Sequence, residues 1–481
     1  MCSFSSNIDF NFFKSVIFYK YLIVINNMTI ILVDPTSFER NEYKIMIPYS
    51  FLCLYPVLKE AGFDVKILNN FNENDLIRIL KDSDIEFVGI TANTSKFLNS
   101  ALKISQIAKE FKLPVFWGGS HATMLPEQTL ENPYIDGVVV GEGEKTIVEL
   151  AKNMSSNSLK NVKGIMFKKN SKIVKCPHQK LIKNLNSLPL PAWDLVEDFP
   201  RSLLFDNKKY SFIETSRGCP FNCSFCFRQF GTLWRYKSVD RIIKEIDSLL
   251  SMGISCMEFM DDNLLLSKKR IMDLCKRIIK EKKNIQWTAR GIRVDLISEE
   301  LLRIMKKAGC IKIALGAESG SQRILNMLNK NVSINKILKA FGLCHKLDIM
   351  TTAFFMLDLP TETKKDIDLT MRLANKIQPT FCVFTYYRAY PKTELYKKAI
   401  QHNFKEPKTI EEWSKYDSST IFGFSDVNPI ILRGITILNK YKTHIKFLSG
   451  KKSKNEILKI MLTKTYTEFL KYFIHKDLDG L

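Results

Sequence analysis

A chain of 481 residues with 45% hydrophobic and 25% charged residues is folded and too long for one ordinary core, so two or three domains are expected. Eight of its 11 cysteines are scattered singly, several inside apolar runs, which excludes a disulfide framework and fits a reducing, cytoplasmic compartment. The net charge of +22 is spread over lysines with no arginine-rich tract, so it reads as a solvated surface and nucleic acid is not an expected partner.

Residues 1–27 contain an apolar, aromatic run from Phe10 to Ile25 that Lys14 and Lys20 interrupt. It is short for a membrane span and lacks a small-residue cleavage site. We expect an extension ahead of a true start at Met28, with a membrane-surface helix as the alternative.

Over residues 28–155, short apolar strands alternate with amphipathic stretches; the strands fall at 30–34, 65–68, 87–92, 115–119 and 137–141. That alternation predicts a doubly wound, Rossmann-like α/β domain whose ligand sits off the carboxyl ends of a parallel sheet. The loops there are Asp34-Pro35-Thr36, Thr91-Ala92-Asn93-Thr94, Gly118-Gly119-Ser120-His121-Ala122-Thr123 and Gly141-Glu142-Gly143-Glu144. Their glycines allow close approach of the backbone to a ligand, and Ser120, His121, Gly141 and Glu142 are the candidate contacts. Residues 156–200 are expected to be a connector, with a hairpin-like piece (162–167, then 173–176) and the stiff run Leu188-Pro189-Leu190-Pro191.

Over residues 201–400 the alternation resumes, with strands at 211–215, 257–261, 285–289, 312–317, 351–357 and 381–387. Six such units predict a partial (β/α)6 barrel with its chemistry at the strands' carboxyl ends. Directly after the first of these strands stand Cys219, Cys223 and Cys226, at C-x3-C-x2-C spacing. Eleven cysteines placed at random in this chain would give that spacing roughly 0.006 times. Three thiolates on one loop suit an iron–sulfur cluster with one iron left open; a structural zinc site would want a fourth ligand, and the next histidine is His345. Residues 401–481 read as a basic helical region. From Val427 onward Arg433 and ten lysines face Glu456, Glu468, Asp477 and Asp479. A packed helix with a solvated lysine face is expected, and a basic face over an anionic or lipid-like substrate or a membrane surface is the alternative.

The run Ser216-Arg217-Gly218-Cys219-Pro220-Phe221-Asn222-Cys223-Ser224-Phe225-Cys226 resembles the radical S-adenosylmethionine enzymes, including the aromatic Phe225 before the third cysteine. The 28–155 loops resemble the cobalamin-binding domain that precedes many such cores, although no histidine lies in an Asp-x-His-x-x-Gly context. The resemblance implies a 4Fe–4S cluster on Cys219, Cys223 and Cys226, S-adenosylmethionine bound to its open iron, and cobalamin held by Ser120, His121, Gly141 and Glu142. It also implies contacts to S-adenosylmethionine from Phe225, Asp261 or Asp262, Arg293, Glu318 and Ser319. Asp262 as a helix cap and Arg293 in an ion pair with Asp295 or Glu299 are the plain alternatives. Two family loops depart from pattern: Asp358-Leu359-Pro360-Thr361-Glu362-Thr363 and Pro391-Lys392-Thr393 carry Asp, Thr and Lys where the family has glycine. Asp358 and Lys392 are expected to alter the polarity where substrate enters.

The implied activity is methylation of an unactivated carbon, with hydrogen abstraction by a 5'-deoxyadenosyl radical and capture of the substrate radical by methylcobalamin. The implied partners are a small-molecule, lipid-like or peptide substrate and a reductant such as flavodoxin or ferredoxin. A cyclisation or rearrangement is the first alternative. Methylthio transfer to tRNA wants a further cysteine trio, whereas residues 28–175 hold only Cys53; a cluster-bearing scaffold would cleave no S-adenosylmethionine.

Overall fold

The computed structural model describes residues 29–38, 48–82, 84–154, 158–196, 199–416 and 420–436. The expected extension at 1–27 and most of the basic C-terminal region lie outside them. The chain divides into two compact units, Met1–Leu181 with Leu188–Asp198 and Thr409–Ser414, and Ile182–Ser187 with Phe199–Lys408 and Lys415–Leu481.

The first unit begins with β1 (Thr29–Val33), a fully buried Thr-Ile-Ile-Leu-Val run. Then follow α1 (Tyr49–Glu60), β2 (Asp64–Leu68), α2 (Glu73–Asp82), β3 (Ile85–Thr91), α3 (Leu98–Glu110) and β4 (Val115–Gly118). α4 (Ser120–Met124), α5 (Pro126–Glu131), β5 (Gly137–Val139), α6 (Gly143–Asn153), β6 (Ile165–Lys169) and β7 (Lys172–Lys175) complete it. The strand order is β2-β1-β3-β4-β5-β6-β7, parallel as far as β5 and antiparallel in the closing hairpin. Strands buried on both faces require apolar runs such as Ile30 to Val33 in β1 and Phe87 to Ile90 in β3. Helices α1 and α6 cover one face, where Phe51, Leu58 and Leu150 pack with Ile30, Leu32, Phe87 and Phe116. The winding reverses between β1 and β3, which places a ligand crevice at the carboxyl edge of the sheet. The hairpin expected at 162–176 extends this sheet.

The second unit contains β8 (Arg201–Ser202), β9 (Lys208–Ile213), β10 (Ser216–Arg217), β11 (Arg235–Tyr236), α7 (Val239–Ser251), β12 (Cys256–Phe259), α8 (Lys268–Lys280) and β13 (Gln286–Arg293). It continues through α9 (Glu299–Lys307), β14 (Cys310–Glu318), α10 (Gln322–Met327), α11 (Ile334–Lys346), β15 (Met350–Leu357), α12 (Lys364–Ile377), β16 (Phe381–Tyr386) and α13 (Glu394–Gln401). The short α14 (Ile410–Ser414) belongs to the first unit.

Strands β9, β12, β13, β14, β15 and β16 are parallel and lie in chain order, with β8 antiparallel at the edge. Each new strand is added to the same edge, so the sheet curls one way into the expected half-barrel. The crossover helices start on side-chain caps: Ser238, Ser267, Ser298 and Ser333, and a Thr363–Asp366 capping box on α12. One face of the sheet is sealed by the helices, where Met257, Phe259, Trp287, Ala289, Ile313 and Leu315 are buried. On the other face Phe212, Met260, Lys312, Phe354 and Val383 are only half-buried.

Most strand ends lie one to three residues from those expected, and β13 ends four residues later. β13 runs past 289 to Arg293, because a register shift between Ala289 and Ile292 lets the strand carry extra residues. β14 likewise extends to Glu318 through a shift between Gly316 and Glu318.

Candidate active site

The cysteine loop leaves β9 and is closed at its base by β10 pairing antiparallel with β11. Gly218 opens it at φ +84°, and a side chain there would collide with the Leu233 carbonyl, so this position demands glycine. Arg235 fixes the far limb by donating to the carbonyls of Phe230 (3.1 Å) and Leu233 (3.3 Å). Across the middle, the Ser224 amide donates to Leu328 O (2.9 Å), Ser224 Oγ to Met327 O (3.0 Å) and Asn329 Nδ2 to Asn222 O (2.7 Å).

The pair expected to touch S-adenosylmethionine is turned toward this loop. β12 ends at Phe259, and both carboxylates lie just beyond it. Asp261, fully buried, accepts from Thr215 N (2.6 Å), Thr215 Oγ1 (2.7 Å) and Ser216 N. Burial pushes its carboxyl up, and Arg270 and these donors work against that push. Asp262 accepts from Gly218 N (2.8 Å). Neither caps a helix: Ser267 caps α8. In this structure the two carboxylates hold the backbone of the cysteine loop.

Arg293 forms the ion pair with Asp295 (3.0 Å), while Glu299 pairs with Arg303 and Lys346. The same guanidinium donates to Lys330 O (2.6 Å), lies 3.8 Å from the Phe221 ring centroid, and places Nη1 3.5 Å from Cys223 Sγ. Glu318 is buried in an ion pair with Lys330 and sits at φ +63°, in the left-handed region. Ser319 is fully buried against Thr370 Oγ1 (3.1 Å), where it ties β14 to α12. Phe225 is half-buried. Sequence reasoning missed Arg270, Lys330 and Thr370, because no local pattern links them to residues 12 to 55 positions away.

The three thiols are free, and among the described residues no group of His, Cys, Asp and Glu side chains stands closed as a metal site. They nonetheless act on one another. Although Cys226 is exposed at the surface, the protein packed around its sulfur, then the charge of Cys223, Cys219 and Asp262, pushes it up. Burial also raises Cys223, against the pull of Lys330 and Arg293. Three sulfurs gathered on one loop suit an iron–sulfur cluster, whose positive charge would favour their thiolates.

In the first unit the expected loops form one hydrogen-bonded edge. Ser120 Oγ donates to Asn93 Oδ1 (2.6 Å), His121 Nδ1 meets Thr94 Oγ1 (3.0 Å), and Gly141 N donates to Thr123 Oγ1 (3.1 Å). Gly119, at φ +99°, packs so tightly that a Cβ would meet Ala92 O at 2.7 Å, whereas Gly141, at φ +87°, faces open space. Burial lowers His121 to about 4, so its imidazole is neutral, and its Nε2 is buried with no hydrogen-bond partner among the described residues. Glu142 is buried at the start of α6.

Two family models match this chain, the radical SAM superfamily over residues 213–374 and the B12 binding domain over residues 43–151. The uncharacterized methyltransferase PH0819 of Pyrococcus horikoshii is 37% identical over 73% of this chain and 78% of its own length. The chain belongs to the radical S-adenosylmethionine superfamily. It is a radical S-adenosylmethionine enzyme with a cobalamin-binding domain, and its cofactors are a 4Fe–4S cluster, S-adenosylmethionine and cobalamin. The anaerobic magnesium-protoporphyrin IX monomethyl ester cyclase of Cereibacter sphaeroides is 27% identical over 77% of this chain, which spans 62% of that cyclase. Among solved structures, the radical S-adenosylmethionine methyltransferase TsrM from Kitasatospora setae shares the fold, with a TM-score of 0.65, 19% identity, and coverage of 77% of this chain and 74% of that one.

The residues present fit these groups. The donor chemistry of the cysteine loop suits the cluster, and the open side of Gly141 together with the orphaned His121 Nε2 suits a ligand laid along the edge of the first sheet. Among the described residues no helix is long and apolar enough to cross a membrane.

Proposed function

We propose that this radical S-adenosylmethionine enzyme methylates an unactivated carbon of a small-molecule, lipid-like or peptide substrate, drawing electrons from a flavodoxin- or ferredoxin-like reductant. The observation that carries the reading is the presence, in one chain, of the clamped three-thiol loop and the glycine-lined edge of the B12 binding domain. When bound, the cluster and S-adenosylmethionine supply a 5'-deoxyadenosyl radical, and cobalamin supplies the methyl group.

This chain's own residues bind and orient. Cys219, Cys223 and Cys226 would hold the cluster. Arg293 and Lys330 put positive charge beside Cys223, which favours its thiolate. Asp261 and Asp262 fix the loop on which those sulfurs ride. The Glu318–Lys330 pair presents a carboxylate at the end of β14, where the amino group of S-adenosylmethionine would find a partner. Ser120, His121, Gly141 and Glu142 would line the cobalamin. Similarity to the cyclase favours a second reading, a radical cyclisation without methyl transfer.

The test is anaerobic reconstitution with cobalamin, reductant and S-adenosylmethionine, quantifying 5'-deoxyadenosine and S-adenosylhomocysteine. Methylation predicts both, and both vanish in Cys223→Ala. 5'-Deoxyadenosine alone, with substrate turnover, selects the cyclase reading. Neither product from a chain with an intact cluster refutes both.

A further inference from the structure

The open face of the second unit's sheet carries a band of charge that the cofactors do not account for. Across neighbouring strands Phe212, Glu258, Thr288, Lys312 and Met350 stand in register, so their side chains share one face. It is the face the crossover helices leave open. Glu258 on β12 holds Arg290 on β13 in a two-pronged pair, with Nε 2.5 Å from Oε1 and Nη2 3.0 Å from Oε2. Arg290 sits at the β13 bulge. Next to it Gly291, at φ +66°, packs so closely that a Cβ would meet Asp261 O at 2.8 Å.

Lys312 on β14 adds a second cation. It is half-buried, 5.7 Å from the Phe381 ring centroid, and close enough to feel both Glu258 and Arg290. Among the described residues no carboxylate reaches it in an ion pair. Two cations therefore share one carboxylate in a partly dehydrated place, and burial lowers the Lys312 ammonium below its usual range. A band that only braced the strands would be neutral; this one keeps a surplus positive charge. Arg290 also remains 57% exposed at its side chain despite its partner, with donors left for a visitor.

Above the band the same face turns apolar. Phe354 and Met356 on β15, Val383 on β16 and Met260 beyond β12 are all half-buried. They lead toward the strand ends, where Arg293 stands level with Gly316. Lys312 lies four residues before Gly316 on β14, a climb of roughly 13 Å at 3.3 Å per residue.

We propose that Lys312 and Arg290 form the anion subsite of the substrate pocket: they take the carboxylate or phosphate of an amphiphilic substrate whose apolar body lies along Met260, Phe354, Met356 and Val383. The inference rests on the radical-enzyme reading above and deepens it by assigning a substrate class. The Phe381 ring and the half-buried apolar wall lower the dielectric on the Lys312 side of the head group, so the charge match discriminates more there than at an open surface.

The test uses the full chain with cluster and cobalamin loaded, and titrates dodecanoate, dodecyl phosphate and dodecanol below their micelle concentrations, read by tryptophan fluorescence. At least one of the two anions is expected to bind tenfold or more tightly than the alcohol, and the tighter anion identifies the head group. Lys312→Met should cut that preference below threefold, with unchanged iron content reporting an intact fold. Lys312→Arg should keep it, as should Lys365→Met on the outside of α12. Equal affinity for acid, phosphate and alcohol overturns the proposal, and so does an undiminished preference in Lys312→Met or no saturable binding of any probe. 5'-Deoxyadenosine released in the same preparation reports radical chemistry separately; a chain that makes it yet binds all three probes alike fails this proposal alone.

Discussion

Asp261→Asn tests whether the buried carboxylate holds the cysteine loop. Asp261 receives two backbone amides and one hydroxyl, and Thr215 is clasped from its other side by Arg270, whose Nη1 and Nη2 each lie 3.1 Å from Thr215 Oγ1. A hydrogen bond to a charged acceptor contributes about 1.5–3 kcal/mol and a neutral one about 1 kcal/mol. Asparagine keeps the shape but loses the charge, so three donors each lose about 1 kcal/mol. Arg270, left without its counter-charge, shifts the balance the same way. A loss of about 3 kcal/mol raises the opening equilibrium by about two orders of magnitude. Hydrogen exchange resolves this directly: the Thr215 and Ser216 amides should exchange about 100-fold faster, and iron retained after chelator challenge should fall. Asp273→Asn, on the exposed side of α8, should change neither. Protection within threefold of the parent, with iron unchanged, would refute the clamp and return Asp261 to the pool of cofactor contacts.

Glu362 is buried, accepts from Leu359 N (3.2 Å), and has Oε1 without a hydrogen-bond partner among the described residues. Burial, then the charge of Asp358 and Asp366, raises its pKa from 4.5 to about 8. The folded state therefore holds this proton where the unfolded chain has lost it. Its contribution to stability is fully present below pH 4.5 and is lost progressively as pH rises to about 8, by a few kcal/mol at most. Urea midpoints between pH 5 and 8.5 should fall less steeply for Glu362→Gln than for the parent; parallel curves would contradict the assignment. Lys392 is exposed at φ +65°, in the left-handed region that costs a side chain about 1 kcal/mol. Lys392→Gly, after the extra unfolded-state entropy of glycine, should gain about 0.5 kcal/mol in the same denaturation experiment, and a lowered midpoint would show that the interactions of the lysine outweigh the strain of its backbone.

The parts legible in the sequence were those written locally. Alternating strands and helices, and glycines at strand ends, specify both sheets because each element declares itself within a dozen residues. The cysteine loop was legible for the same reason. What the sequence could not show was direction. Asp261 and Asp262 stand at a strand end, as expected for ligand contacts, but only the folded chain brings the amides of Thr215, Ser216 and Gly218 to them from 44 to 46 residues away. Asp358 was expected to alter polarity where substrate enters. Its carboxylate instead accepts from the amides of Phe422 (2.8 Å), Gly423 (3.0 Å) and Ser425 (3.0 Å), a loop more than 60 residues on. The polarity it adds is consumed inside the fold.

The residues that replace family glycines show how far a backbone constrains a sequence. Asp358, Thr361 and Lys392 sit at φ +58°, +68° and +65°, so the left-handed turns survive although glycine, the residue best suited to them, is gone. Glu318 also adopts a left-handed conformation, at φ +63°, where β14 slips register against β15. There glycine would relieve the backbone but remove the carboxylate that meets Lys330, and Gly316 leaves the room for that pair, since a Cβ on it would collide with both partners. Strain of order 1–3 kcal/mol persists only where surrounding structure enforces it. At Glu318 the enforcing structure is a register shift, a buried ion pair and a glycine cut to fit them, all within one strand end. The reach of this carboxylate into the site is therefore what the strained turn preserves, whereas the Asp358 carboxylate, on the same kind of turn, is turned onto the amides of Phe422, Gly423 and Ser425.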